Sequence, residues 1–260
     1  MLHSISFHKY HGTGNDFIII NGFNLNVSLT ESEIQQMCHR RFGIGADGLI
    51  ILRDLEGFDF YMDFYNSDGK PGSMCGNGGR CIVAFAHDLG LIKHKTRFKA
   101  PDGAHEAIFH HHDKITLKMA NVTNIEKHEM GMFMNTGSPH LVLFKDTLDF
   151  DVCSKGREIR NNAKYKKEGT NVNFVLANQK QPLIYTYERG VEDETYACGT
   201  GAVASALALN ALKNMESPIH LKAKGGSLTV YFNALGEANY TDIWLEGPAK
   251  KIFSGTFFNE

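Results

Sequence analysis

The sequence predicts an α+β fold built as two similar halves, and three observations carry that expectation. The first is an internal repeat: one gapless offset of 123 residues lays Cys75-Gly76-Asn77-Gly78 on Cys198-Gly199-Thr200-Gly201. The same offset lays Thr13-Gly14 on Thr136-Gly137, Ile18–Ile20 on Leu141–Leu143, Leu49–Leu52 on Val172–Val175, and Ala100 and Gly103 on Ala223 and Gly226. So many coincidences at one shift mark a duplicated unit rather than accidental glycine matching. The second is a shared order of elements, with strand-like runs followed by a Cys-Gly-x-Gly loop and one helix-like stretch. The third is an ordinary globular composition over 260 residues, 42% hydrophobic and 22% charged, with apolar material for a sizeable core. The halves are expected at 1–120 and 121–260, with a boundary near 118–124 and a cleft between them. The last ~12 residues are expected to pack back on the N-terminal half.

The elements follow from local pattern. Strands are expected at Phe17–Asn21, Leu49–Leu52 and Phe58–Tyr65, then at Leu141–Phe144, Val172–Leu176 and Leu183–Tyr187. These runs are rich in β-branched and aromatic residues and bounded by Gly, Asn and Asp. Asn173 is the one polar intruder in its run. Helices are expected at Glu31–Arg40, with Thr30 as N-cap and Glu33 behind it, at Gly79–Leu89 closed by Gly90, and at Ala202–Leu212. Shorter strands such as Ile115–Met119 and Leu228–Phe232 follow the main helices.

Composition also excludes functions. Twenty-seven basic against 29 acidic residues give a net charge of −2, without the basic excess that nucleic acid or a membrane surface requires. The apolar runs are strand-sized, well short of the ~20 residues of a membrane span. Met1–Tyr10 has no basic region leading into an apolar one, so a cytoplasmic protein is expected. Five cysteines are too sparse for a disulfide framework, and none stands in zinc-finger spacing. No metal is expected; His110-His111-His112-Asp113 is read as adjacent residues pointing different ways. His11–Phe17 lacks the Gly-x-Gly-x-x-Gly spacing of a nucleotide loop.

Chemistry is expected at Cys75 and Cys198. Each precedes Gly-x-Gly where a helix opens, and there unpaired backbone N–H groups and the helix dipole favour a thiolate. The same N–H groups would hold a carboxylate, and glycine lets the backbone approach it. Two such loops facing one ligand carbon would suit racemisation, which removes a proton from one face and returns one to the other. A dithiol oxidoreductase would place its thiols as Cys-x-x-Cys, which is absent. Cys38, Cys81 and Cys153 read as small buried hydrophobes. Glu188-Arg189-Gly190, and Asn66-Ser67-Asp68-Gly69 at the equivalent place, read equally as ligands for a zwitterion or as solvated turns.

His11–Phe17, Asn66–Gly69, Met74–Cys81, Gly137–His140, Glu188–Gly190 and Ala197–Ala202, taken in order over nearly the whole chain, resemble the diaminopimelate epimerase family. The resemblance implies two pseudo-symmetric halves, each a barrel-like sheet around a central helix, in a cytoplasmic homodimer that uses no cofactor. It implies Cys75 and Cys198 as the acid–base pair interconverting LL- and meso-2,6-diaminopimelate, for lysine and cell-wall precursor synthesis. Gly76, Asn77, Gly199 and Thr200 would bind the carboxylate at the reacting centre. Glu188 would take the ammonium and, with His140, tune the thiols. Asn66, Asn171 and Arg189 would hold the distal amino-acid end, and Asn15 would complete the pocket. Gly48 and Ser138 depart from the family, many members of which carry glutamine and asparagine there. Those departures keep open a racemase for histidine or a proline derivative; a non-catalytic amino-acid binder or thiol sensor is the reading from another class. The phenazine-pathway isomerases share the fold but lack the cysteine pair.

Overall fold

The structure, a computed structural model, describes residues 3–236 and 238–259. The chain forms two compact units, one of Met1–Leu117 with Gly247–Glu260 and one of Lys118–Glu246. The first unit contains β1 (His3–Gly12), β2 (Asn15–Asn21), α1 (Glu31–Cys38), β3 (Gly48–Arg53), β4 (Tyr61–Asn66), α2 (Gly76–Asp88), β5 (Lys95–Ala100), β6 (Gly103–His111) and β7 (Lys114–Lys118). The second contains β8 (Ile125–His128), β9 (Gly131–Asn135), β10 (Pro139–Lys145), α3 (Val152–Arg160), β11 (Asn171–Leu176), β12 (Leu183–Glu188), β13 (Asp193–Thr195), α4 (Gly199–Lys213), β14 (Ile219–Ala223), β15 (Gly226–Ala234) and β16 (Tyr240–Gly247). The last strand, β17 (Lys250–Asn259), returns to pair with β1 in the first unit.

The strands of the two units, all of one 17-stranded sheet, repeat one order of pairings. In the first unit β17–β1–β2 is antiparallel, β2–β3 parallel, β3–β4 antiparallel, β4–β5 parallel and β5–β6–β7 antiparallel. In the second, β8–β9–β10, β10–β11, β11–β12, β12–β14 and β14–β15–β16 repeat that series. Each parallel pair needs a crossover, supplied by α1 and α2 in one unit and by α3 and α4 in the other. The repeat survives in the hydrogen bonding, since Phe17 pairs with Gly48 where His140 pairs with Asn171.

Strands β2 and β3 read as continuous apolar runs because both of their faces are buried. Ile18, Ile20, Leu49 and Ile51 pack on Ile34, Met37 and Cys38 of α1. The alternate residues turn to α2, where a Cβ on Gly78 would meet Ile50 and Phe17. In the second unit Leu141, Leu143, Val172 and Phe174 pack on Val152 and Ile159 of α3, and His140 and Asn173 turn to α4. Helix α2 is buried continuously from Gly76 to Ala86, and α4 from Gly201 to Leu209. Neither helix has a polar stripe because the sheet surrounds it. Among the described residues no helix is long and apolar enough to cross a membrane.

Several boundaries differ from the sequence expectation. Helices α2 and α4 begin at Gly76 and Gly199, so the glycine segments form the first helical turns rather than loops leading into them. Space explains it: a Cβ on Gly201 would lie 2.5 Å from Asn173 Oδ1. The Thr30–Glu33 capping box forms, but α1 stops at Cys38 and β4 begins only at Tyr61. Cys38 and Cys81 are buried, and burial pushes the Cys38 thiol up to about 11 and that of Cys81 upward as well. Cys153, expected to be buried, is half-exposed and donates to Asp193 Oδ1 at 2.7 Å. Helix α3, unpredicted, carries a glycine that helix propensity alone would replace. Gly156→Ala is expected to destabilise by about 1–3 kcal/mol instead of stabilising, because the new Cβ would sit 2.3 Å from Tyr187 Cβ. A lowered urea midpoint at unchanged slope would show it.

Candidate active site

Cys75 is the N-cap of α2, in extended backbone geometry, and its side chain does not cap the helix. The first helical bond runs from Gly79 N to Cys75 O, so the preceding N–H groups open from the helix end. The Cys75 thiol donates to Asn15 Oδ1 at 3.6 Å, and Asn77 Nδ2 donates to the same oxygen at 3.3 Å. Asn15 is turned that way because its Nδ2 donates to Asp47 Oδ2 at 2.7 Å. Asp47 also binds Arg40, which bridges to Asp16, and Lys9 pairs with Asp16 at 2.7 Å. Burial alone would raise the Asp16 carboxyl, but Arg40 and Lys9 hold it down to about 2. The loop behind Asn15 is therefore tied by charge throughout the neutral range.

Arg80 is a functional candidate that sequence reasoning passed over. Its side chain is fully buried, one helical turn behind Asn77, and donates to Asn77 Oδ1 at 2.8 Å, Gly76 O at 3.2 Å, Thr13 Oγ1 at 3.3 Å and Pro248 O at 3.3 Å. All four are neutral oxygens, and among the described residues no carboxylate pairs with it. A buried cation without a carboxylate partner adds to the positive end of the helix beside Cys75 and favours an anion there. Its signal in the sequence is the one charge in the Gly76–Ala86 stretch of that helix.

Cys198 is the N-cap of α4, buried, with its Sγ 3.4 Å from Thr200 Oγ1. Thr200 Oγ1 lies 2.9 Å from His140 Nε2 and 3.2 Å from Ser138 Oγ. Asn173, buried on the same strand face, fixes the imidazole. Its Oδ1 accepts from Thr186 Oγ1 at 2.9 Å and its Nδ2 lies 3.4 Å from Leu141 O, an atom that only accepts. That orientation makes Nδ2 the donor to His140 Nδ1 at 2.9 Å, which leaves the ring proton on Nε2. Nε2 faces two hydroxyls, Thr200 Oγ1 at 2.9 Å and Ser138 Oγ at 3.0 Å, and a Thr200 that accepts from it can direct its own hydroxyl proton at Cys198. Burial, with Arg189 adding to it, pushes His140 down to about 3. His140 therefore reaches Cys198 through Thr200 as a neutral hydrogen-bond donor, not as a cation. Asn173 was legible only as the polar intruder in an apolar strand; Thr186 gave no signal.

Asn171 is buried, with both amide hydrogens committed to Ser138 Oγ at 3.1 Å and Pro139 O at 2.9 Å, while its Oδ1 accepts from Arg189 N at 2.9 Å. The Arg189 guanidinium donates to Glu168 O at 2.9 Å. Glu188 and Asn66 hold matching places, at the ends of β12 and β4. Gly48 pairs with Asn66, and a side chain on Gly48 would lie 2.7 Å from both the Phe64 ring and Tyr65 O. Phe64 thus fills the space that a glutamine there would enter. Gly76, Asn77, Gly199 and Thr200 occupy the opening turns of the two buried helices.

The fold defines a class. A PhzF-family phenazine biosynthesis protein of Bacillus anthracis is similar at TM-score 0.76 and 14% identity, covering 98% of this chain and 99% of that one. A hydroxyproline epimerase of Agrobacterium vitis is similar at TM-score 0.68 and 12% identity, over 98% of this chain and 91% of that one. Sequence comparison is more particular. The diaminopimelate epimerase family profile matches residues 7–125 and 132–252, and this chain belongs to that family. The diaminopimelate epimerase of Flavobacterium psychrophilum is 49% identical over 253 residues, spanning 96% of this chain and 98% of the relative. That of Chlorobaculum tepidum is 44% identical over 257 residues, spanning 94% and 98%.

His140 yields a pH prediction. Its folded pKa lies at about 3, below the ordinary 6.5, so the unfolded chain takes a proton that the folded chain refuses. The contribution of neutral His140 to stability is complete above about pH 6.5 and is lost progressively as pH falls toward 3. Nitrogen-15 NMR of the imidazole is expected to show a neutral Nε2–H tautomer at pH 7 and no titration before about pH 3. Asn173→Ala is expected to let the ring populate the other tautomer.

Proposed function

We propose that this chain interconverts LL- and meso-2,6-diaminopimelate by proton transfer between its two N-cap cysteines, as the names of its relatives indicate for them. The observation that carries the reading is the duplicated thiol: Cys75 and Cys198 each stand at the N-cap position of a buried helix whose first turn opens its N–H groups, and each is wired to a neutral hydrogen-bonding side chain.

In the reaction one thiolate takes the α-proton, and the C–H electron pair moves into the adjacent carboxylate system. The opposite thiol then delivers its proton to the other face, so the thiolate and thiol exchange places and nothing else is consumed. The first-turn amides at Gly76, Asn77, Gly199 and Thr200 stabilise the charge on the carboxylate, supported by the buried Arg80. Asn15 Oδ1 accepts from Cys75 in its thiol form, and Thr200, held by His140, donates to Cys198 in its thiolate form. Glu188 binds the reacting ammonium. Asn66 and Arg189 take the distal amino-acid end, and Asn171 acts by placing Arg189 and Ser138. We assign the chain, in this reading, to a cytoplasmic homodimer serving lysine biosynthesis.

The test is proton NMR of LL-diaminopimelate in D2O with the reduced protein. Deuterium entering one α-position together with the meso isomer is the expected result; neither event from folded, reduced protein would overturn the assignment and move the search to histidine and proline derivatives. Cys75→Ala and Cys198→Ala are each expected to lower turnover by about 10²–10⁴-fold in both directions. A substrate-binding protein without catalysis would show no turnover to lose.

A further inference from the structure

Helix α2 has Cys75 at one end, and at the other its last two residues, His87 and Asp88, meet a second imidazole, that of His112. We propose that His87, Asp88 and His112 form a site for a divalent transition-metal cation of the zinc class, separate from the cysteine chemistry.

His87 and Asp88 are the last two residues of α2, and His112 follows β6 in the turn to β7. One ligand atom from each lies within 4.8 Å of the others. His87 Nδ1 stands 3.7 Å and His112 Nε2 stands 3.1 Å from the same oxygen, Asp88 Oδ1. Zinc bonds of about 2.0–2.1 Å in tetrahedral geometry hold ligand atoms about 3.3–3.4 Å apart, so the two spacings to Asp88 bracket what an ion would impose, and the imidazole nitrogens lie within 4.8 Å of each other. Of the two ring nitrogens that face Asp88, His87 Nδ1 is buried without a hydrogen-bond partner; His112 faces Asp88 through Nε2, and its Nδ1, on the other side of the ring, is not one of the ligand atoms.

The surroundings hold the three groups in place. The Phe109 ring stacks on His87 at 3.8 Å between centroids and meets His112 edge-on at 5.3 Å. The Tyr10 hydroxyl donates to Asp88 Oδ2, which leaves Oδ1 toward the imidazoles. Outer contacts of this kind orient metal ligands. Ala249 N donates to His112 O at 2.8 Å and fixes the turn that carries the third ligand. The negative end of the α2 dipole also favours a cation here.

Ligand type sets the ion. Two imidazoles and one carboxylate suit zinc, cobalt and nickel, whereas magnesium and calcium prefer oxygen alone. Asp88 is exposed and both histidines are half-exposed, so the remaining coordination position faces water. The 13 residues of α2 put the site about 20 Å of helix rise from Cys75, too far to share in proton transfer. A bound ion would tie the end of α2 to the β6–β7 turn and stabilise the fold.

Thiolates also bind zinc, so the test uses the full chain as the Cys75→Ala/Cys198→Ala variant, stripped with chelator and then titrated with Zn²⁺ or Co²⁺. One ion per chain is expected, with a Co²⁺ spectrum free of thiolate charge transfer and a melting temperature raised by about 5 °C near 100-fold saturation. Adding His87→Ala, His112→Ala or Asp88→Asn to that variant should weaken binding by about tenfold or more. In the chain with native cysteines, His112→Ala should leave turnover unchanged. Absence of binding in the cysteine-free variant, affinity unmoved by all three ligand substitutions, or equal binding of Mg²⁺ would overturn the proposal. The binding, spectral and melting readouts do not depend on epimerase activity, so this proposal and that of the preceding section fail separately.

Discussion

A helix enclosed by a sheet on every side has no face left for water, and that constraint shapes both units. Helices α2 and α4 are therefore mostly apolar and small, running to glycine, alanine, valine and, in α4, leucine, with Arg80 the buried charge within α2. Their first turns are the most confined, since a Cβ on Gly78 or Gly201 would press on a strand side chain within 3.2 or 2.5 Å. Burying a helix N-terminus also strands its first amides, and a structure that does so needs an anion or a polar side chain there. The cysteines sit where that need arises.

The polar residues around each thiol follow from the same confinement. The parallel pairs β2–β3 and β10–β11 place alternate side chains toward the enclosed helix, so any polar residue on that face must find its partner inside the unit. Asn15 is held by Asp47 on one side of the duplication, and His140 by Asn173 on the other. Duplication conserved the geometry and let the chemistry diverge: one thiol donates to an amide oxygen, while the other faces a threonine hydroxyl backed by a neutral imidazole. Gly48 and Asn171, equivalent by register, have opposite roles; one yields its space to Phe64, and the other fills its space and braces Arg189.

The sequence by itself determined the duplication, the α+β class, the two long helices and the cysteines that open them. Periodicity, capping and a repeated motif are properties of neighbouring residues, and they are readable without a fold. Membership of the family was also legible, because its motifs are short and contiguous. Tertiary structure alone decided what surrounds each thiol. Arg80 meets Pro248, and Thr186 meets Asn173, only through packing of segments far apart in the chain. The same holds for His112, one of a run of adjacent residues expected to point different ways, which the β6–β7 turn brings to Asp88 and His87. A buried polar group takes the partner that packing brings to it, and no local rule of the chain encodes that partner.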